Sequence, residues 1–100
     1  MEENLLGVYE HLKQEEQALY KLRGLLGKEK VPSWYSYNNI YYWDDIRTNK
    51  EGYVSQLNLS YMGLDVPIME LISILKEFIF LEKLDLSNNS LTGEIDRKRS

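Results

Sequence analysis

Hydrophobic residues recur at intervals of three and four positions across residues 2–27, which predicts an amphipathic helix. The apolar stripe consists of Leu5, Val8, Leu12, Leu19, Leu22 and Leu26. Because Glu15 and Glu16 interrupt it, one long helix and two shorter helices joined at this point are both compatible with the pattern. A coiled coil is a third interpretation, since an apolar stripe can also face a partner helix. Gly27, followed by Pro32, predicts where the helical region ends.

A second hydrophobic pattern recurs after 27 residues. Val54, Leu57 and Leu59 have the spacing that Leu81, Leu84 and Leu86 repeat, and the same offset aligns Ser60 with Ser87, Leu64 with Leu91 and Ile68 with Ile95. These two segments predict strands at equivalent positions of an internal repeat.

Residues 67–81, between the two predicted strands, carry a wide apolar stripe at helical spacing. Its members are Ile68, Leu71, Ile72, Leu75, Phe78 and Ile79. Pro67 suits the first turn of such a helix because its missing N–H would have no helical partner there. The pattern therefore predicts a strand, a helix and a parallel strand in right-handed connection.

Aromatic residues are concentrated in residues 33–43, around a turn predicted at Asn38 and Asn39. They are Trp34, Tyr35, Tyr37, Tyr41, Tyr42 and Trp43. One interpretation is a small aromatic core that closes one end of the fold. The other is a stacking platform for sugars or bases.

The composition fits one folded domain, with 100 residues, 43% hydrophobic residues and a net charge of -4. The basic run of residues 97–99 is interpreted as a solvated end, and no basic face predicts nucleic-acid binding. The absence of cysteine excludes disulfides and thiolate metal sites, so the chain does not need an oxidising compartment; its location stays open, with the cytoplasm slightly favoured. We also expect no signal peptide and no membrane span, because no long apolar run occurs.

Candidate catalytic chemistry is sparse. His11 lies near Glu10 and Glu15 and could act as a base, but a surface histidine is the simpler interpretation. The pair Asp44 and Asp45 could bind a hard cation with Glu51, but a turn-forming acidic pair is the simpler interpretation, because no further oxygen ligands occur at fixed spacing. No phosphate-binding loop, nucleophile elbow or zinc-protease motif occurs. We therefore expect no enzyme activity, cofactor or metal.

The motifs together resemble the N-terminal cap and first repeats of leucine-rich-repeat proteins of the plant-receptor-like type, which also occur in bacteria. "EQALYKLRGLLG" resembles the cap helix, and "LDLSNNSLTGEI" is similar to the family signature L-x-L-S-x-N-x-L-x-G-x-I. In "YWDDIRTNKEGYVSQLNLS", Trp43, Ile46 and Gly52 take the family's tryptophan, valine and turn-glycine positions, and Val54 leads the first strand. The resemblance covers about residues 16–95.

Three departures from the family pattern change what the resemblance implies. The cap cysteines are missing near Tyr41 or Tyr42 and Thr48, so packing alone must hold the cap. Asp45 replaces the usual glycine. Met62 occupies the first repeat's asparagine position, whereas the second repeat has Asn89, whose side chain should link neighbouring coils.

The resemblance implies an α/β fold: a fragment of a leucine-rich-repeat solenoid, with short parallel strands and a helix on the convex side. Residues 1–53 would form a helical and aromatic cap, and residues 54–100 two repeats (54–80 and 81–100), in one structural domain with the cap. The family uses its concave strand face to bind proteins or peptides, so this chain would be a noncatalytic protein-interaction module. The alternative function is carbohydrate binding by the aromatic cluster of residues 34–43.

The candidate partner-binding residues are Gln56, Asn58, Ser60, Tyr61, Lys83, Asp85, Ser87 and Asn88. Asn58 and Asn88 also begin glycosylation sequons, which matter only in a secreted eukaryotic protein. The second coil needs a neighbour over its apolar side, because a repeat cannot bury that side alone. The candidate self-association edge is Leu84, Leu86, Leu91 and Ile95. Either the chain belongs to a longer array, or a second copy covers this edge.

Overall fold

The computed structural model describes the backbone of residues 5–93 and the side chains of residues 10–93. This part of the chain forms a small mixed α/β domain with three α-helices and one three-stranded sheet. The elements are α1 (Leu5–Leu26), α2 (Pro32–Ser36), a 3-10 turn (Ile40–Tyr42), β1 (Ile46–Thr48), β2 (Val54–Asn58), α3 (Ile68–Leu75) and β3 (Lys83–Asp85). Within residues 5–93, no helix has the length and apolar character needed to span a membrane.

Helix α1 is continuous from Leu5 to Leu26, so the two-helix interpretation is wrong. Gly27 ends it as predicted: its φ is +92°, and its N–H donates to the carbonyl of Arg23 at 2.9 Å. From Ala18 to Leu26 the apolar face of α1 is buried within the domain, whereas Leu12 is partly buried, and α1 packs against α3. That face is therefore covered inside the same chain, which argues against a coiled-coil seam.

Strands β2 and β3 are parallel and are joined by α3, which confirms the predicted strand, helix and parallel-strand unit. Gln56 pairs with Lys83 and Asn58 with Asp85, so the pairing register equals the 27-residue offset of the sequence pattern. Helix α3 is shorter than the predicted residues 67–81, because Pro67 lies just before its first turn and the chain leaves the helix after Leu75. The solenoid assignment of this unit stays a prediction.

Strand β1 is the strand of the sheet that the sequence patterns did not predict. It pairs antiparallel with β2, with an irregularity between Arg47 and Thr48, and makes the sheet order β1-β2-β3. The polar turn of residues 49–52 connects the two strands, and the Asn49 side chain accepts hydrogen bonds from the backbone N–H groups of Glu51 and Tyr53. The predicted cap thus contributes a strand to the sheet as well as helices.

The two tryptophans form a buried layer at the α2 end of the domain. The Trp34 and Trp43 rings stack with centroids 5.0 Å apart, and both indole N–H groups donate to backbone carbonyls, of Asp44 and Tyr37 respectively. The aromatic-core interpretation is therefore confirmed for the tryptophans, whereas Tyr35, Tyr37, Tyr41 and Tyr42 are exposed.

Candidate functional site

The same strand-ending turn occurs twice, 27 residues apart. At the end of β2, Asn58 Oδ1 accepts hydrogen bonds from the N–H and the hydroxyl of Ser60 at 3.1 and 2.7 Å. At the end of β3, Asp85 Oδ1 accepts the equivalent bonds from Ser87 at 2.9 and 2.6 Å. Turns of this kind are commonly fixed by an Asn or Asp side chain that accepts a hydrogen bond from the backbone N–H two residues later. The repeated sequence therefore produces a repeated local structure.

The next residue in each turn has a left-handed backbone, with φ of 56° at Tyr61 and 58° at Asn88. Asparagine adopts this conformation readily, whereas it is strained for a bulky residue such as tyrosine. Tyr61 is 78% exposed, so side-chain burial does not compensate for the strain. The turn hydrogen bonds and the adjacent strand hold this conformation.

The side chain of Asn89 connects the two turns. Its Oδ1 accepts hydrogen bonds from the N–H groups of Met62 and Leu64 at 3.0 and 2.9 Å. Its Nδ2 donates to the carbonyls of Leu59 at 2.7 Å and of Leu86 at 3.1 Å. This confirms the predicted bridging role of Asn89. The turns are consequently fixed relative to each other.

One face of the sheet forms a shallow groove, which we call the sheet-face groove. Side chains alternate along β2, so Leu57 is buried while Gln56 and Asn58 face the opposite side, and pairing places Lys83 and Asp85 beside them. The groove has a volume of about 610 Å³. Its lining comprises Trp43, Asp44, Asp45, Ile46, Arg47, Gln56, Leu57, Asn58, Lys83, Leu84 and Asp85.

Charges of both signs line this groove: the side chains of Arg47 and Lys83, and the carboxylates of Asp44, Asp45 and Asp85. Hydrogen bonds from Ser87 lower the pKa of Asp85 below its ordinary value, so this carboxylate is ionised at neutral pH. Burial and the neighbouring Asp44 raise the pKa of Asp45. The groove can thus form ion pairs with cations and anions at separate places.

The structure separates the predicted partner-binding residues into two groups. Four of them, Gln56, Asn58, Lys83 and Asp85, line the sheet-face groove. The others, Ser60, Tyr61, Ser87 and Asn88, belong to the turns that follow the strands. Sequence reasoning missed Arg47, and it considered Asp44 and Asp45 only as a possible cation site and not as part of this groove, because it did not predict β1. The one sequence feature that could have indicated this strand is the short Ile-Arg-Thr segment between Trp43 and the turn of residues 49–52.

The predicted self-association edge lies beside β3, which pairs only with β2 among the described strands. Leu84 is 41% exposed although its partner in the register, Leu57, is buried. Leu86 and Leu91 are partly buried against the core, and Ile95 lies outside the described residues. The apolar side of the second repeat is therefore less covered than that of the first.

A second cavity, of about 520 Å³, lies between α1, the segment of residues 38–41 and the β1–β2 hairpin. Beside it, Glu15 is only 4% exposed, and its Oε1 accepts a hydrogen bond from the N–H of Val54 at 2.8 Å. Its Oε2 is buried without a hydrogen-bond partner among the described residues, and burial raises the pKa of this carboxyl. Glu15, which seemed to interrupt the helix stripe, thus joins α1 to the first residue of β2.

Among the described residues, the remaining candidate catalytic and metal-binding side chains do not form a site. His11 is exposed, and the described residues contain no group of three or more side chains placed to hold a metal ion through His, Cys, Asp or Glu. Both tryptophans are buried, so a sugar that stacked on the aromatic cluster would contact its tyrosines instead.

Comparisons with family models, curated proteins and solved structures found no match.

Proposed function

We propose that this chain is a noncatalytic recognition module that binds a protein or peptide at the sheet-face groove, and that its architecture is a cap with two leucine-rich repeats. The observation that carries the proposal is the parallel register of two equivalent strand-and-turn units. It places the polar side chains of Gln56, Asn58, Lys83 and Asp85 side by side on one face. These side chains are not part of the buried core, so a partner can contact them without unfolding the domain.

The backbone around the groove favours binding by preorganisation. Asn58 and Asp85 hold the two turns, Asn89 joins them, and the strand pairing fixes the side-chain positions. A surface that is already ordered loses less conformational entropy when a partner binds. Because a typical specific interface buries about 800 Å² on each partner, we expect contacts to extend from the groove to exposed Tyr61 and the turns.

The experiment is selection of binders from a displayed peptide library, followed by binding measurements on variants. The test variant exchanges the charges of the groove, Lys83→Glu with Asp85→Lys. The matched control exchanges the same kinds of charge on the exposed residues that follow α3, Lys76→Glu with Glu77→Lys. We expect the selected peptides to lose affinity for the test variant and to retain it for the control, with tryptophan fluorescence verifying that both fold. Equal affinity for both variants would rule out the groove as the binding surface.

A second candidate is self-association through the β3 edge, which the 41% exposure of Leu84 favours. An edge strand presents unpaired backbone groups, and an exposed apolar side chain adds to its tendency to associate. Light scattering across a concentration series tests this, with Leu84→Glu as the variant. We expect a concentration-dependent dimer in the native chain that the variant abolishes. A monomer at every concentration would remove this candidate.

A further inference from the structure

The charged side chains of the sheet-face groove are ordered into two rows across the sheet. The first row contains Arg47, Gln56 and Lys83, which are direct partners in the strand register. Both of its outer members are cationic, and its central member is an amide. The first row is therefore a positive row.

The second row lies two residues along the chain from the first and has the opposite sign; its member Asp45 directly precedes β1 and has a left-handed φ of 71°. Asn58 pairs with Asp85 in β3, and on the other side its N–H donates to the carbonyl of Asp45 at 3.0 Å. Both outer members are carboxylates, and the central member is again an amide. Asp44, next to Asp45, adds another carboxylate at this end of the groove. The second row is therefore a negative row.

The spacing of the rows follows from strand geometry. Two residues along a strand span about 6.6 Å, and neighbouring strands lie about 4.8 Å apart. An extended peptide also places its same-face side chains two residues apart, at the same interval. A peptide strand aligned with β2 therefore presents one side chain to each row.

We infer that the sheet-face groove selects an extended peptide segment in which an acidic and a basic residue are two positions apart. The acidic side chain lies over Arg47 and Lys83, and the basic one over Asp45 and Asp85. The amides of Gln56 and Asn58, between the charges, can donate to and accept from either partner. This inference rests on the proposed function and adds the chemistry of the partner.

Wrong charge arrangements are rejected by the same geometry. A peptide with two acids places one beside the negative row, and a peptide with two bases places one beside the positive row. A spacing of three residues sends the two charged side chains to opposite faces of the peptide. Because the groove is open to solvent, we expect each correct charge to contribute about two- to fivefold in affinity.

The chain provides its own matched variant. Lys83→Gln with Asp85→Asn copies the side chains of Gln56 and Asn58 into the equivalent positions of the second strand. The turn should persist, because Asn58 already makes with Ser60 the hydrogen bonds that Asp85 makes with Ser87. The variant thus removes one charge from each row while it preserves the fold.

The probes are short capped peptides that share a neutral background and carry Glu-x-Lys, Glu-x-x-Lys, Glu-x-Glu or Lys-x-Lys. Binding is measured by calorimetry at low salt, with the native chain and the matched variant. We expect Glu-x-Lys to bind the native chain about two- to fivefold more tightly than Glu-x-x-Lys, which loses one correct contact, and at least about fivefold more tightly than the two like-charged peptides, which also gain a repulsive one. The variant should reduce this preference to about twofold or less.

The outcomes separate this inference from the proposed function. If all four peptides bind the native chain equally, or if the variant retains the full preference, the charge rule is overturned. If none binds while library-selected peptides of other composition bind the groove, the charge rule again fails and the recognition function stands. If the affinity of no library peptide changes when the charges of Lys83 and Asp85 are exchanged, both the recognition function at this groove and the charge rule are wrong.

Discussion

Asn89→Ala should be the most informative single change to the sheet, because it removes the side chain that joins the two turns. The substitution leaves the N–H groups of Met62 and Leu64 without the acceptor they have now at 3.0 and 2.9 Å. It also removes the donor to the carbonyls of Leu59 and Leu86. No other described side chain takes part in both turns through hydrogen bonds.

The cost follows from the backbone groups left unpaired. A fully buried donor without a partner costs about 1–3 kcal/mol, whereas carbonyls have a second lone pair and lose less. These hydrogen bonds are only partly buried, so water can reach the freed groups and the lower half of that range applies. With two donors affected, we expect the free energy of unfolding to fall by about 2–4 kcal/mol. That is a large part of the 5–15 kcal/mol by which a domain of this size is stable.

Urea unfolding followed by tryptophan fluorescence is the assay, because Trp34 and Trp43 are buried and will report their exposure. Asn38→Ala is the matched control: it deletes an exposed asparagine whose side chain has no hydrogen bond to another described residue. We expect the control to change stability by less than about 0.5 kcal/mol. A loss of less than about 1 kcal/mol for Asn89→Ala would show that the two turns do not depend on this bridge.

The remaining predictions concern α1. Because burial raises the folded-state pKa of Glu15 above its ordinary value of 4.5, the folded state holds the proton more tightly. The contribution of Glu15 to the free energy of unfolding should therefore decrease as pH rises from 4.5 through the raised pKa. Urea titrations at several pH values measure this decrease. Glu15→Gln should remove it, because glutamine does not titrate. Gly24→Ala should stabilise by about 0.5–1 kcal/mol, because Gly24 is exposed within the helix and an added Cβ meets nothing within 4 Å. Gly27→Ala should destabilise by about 1 kcal/mol, because φ there is +92°; equal melting temperatures for the two variants would contradict at least one of these two assignments.

Long periodic patterns predicted the fold well. The stripe of α1 and its stop at Gly27 depend on interactions within one helix, and a sequence shows these directly. The parallel pairing of β2 and β3 was also predictable, because a fixed offset between two similar phrases implies equivalent positions in the fold. In both cases the repeated spacing carries the information.

Strand β1 and the role of Glu15 were not predictable from the same patterns. A strand of three residues is too short to show an alternation, and its pairing with β2 depends on the intervening turn. Glu15 accepts a hydrogen bond from the N–H of Val54, which is 39 positions later in the chain. Local periodicity cannot predict a contact over this distance in sequence. Missing β1 affected the candidate site, since this strand is one of the three that border the groove.

A comparison of equivalent positions in β2 and β3 shows which side chains the fold requires and which it does not. Leu57 and Leu84 are the same residue type at paired positions, whereas their neighbours differ: Gln56 pairs with Lys83, and Asn58 pairs with Asp85. Asn58 makes the turn without a charge, so the turn at Asp85 does not require a carboxylate. Where two equivalent positions share a backbone and differ in charge, folding explains the shared geometry but not the charge. We therefore propose that the charges of Lys83 and Asp85 serve recognition, and exchanging these residues for Gln and Asn tests that proposal with the least change to the fold.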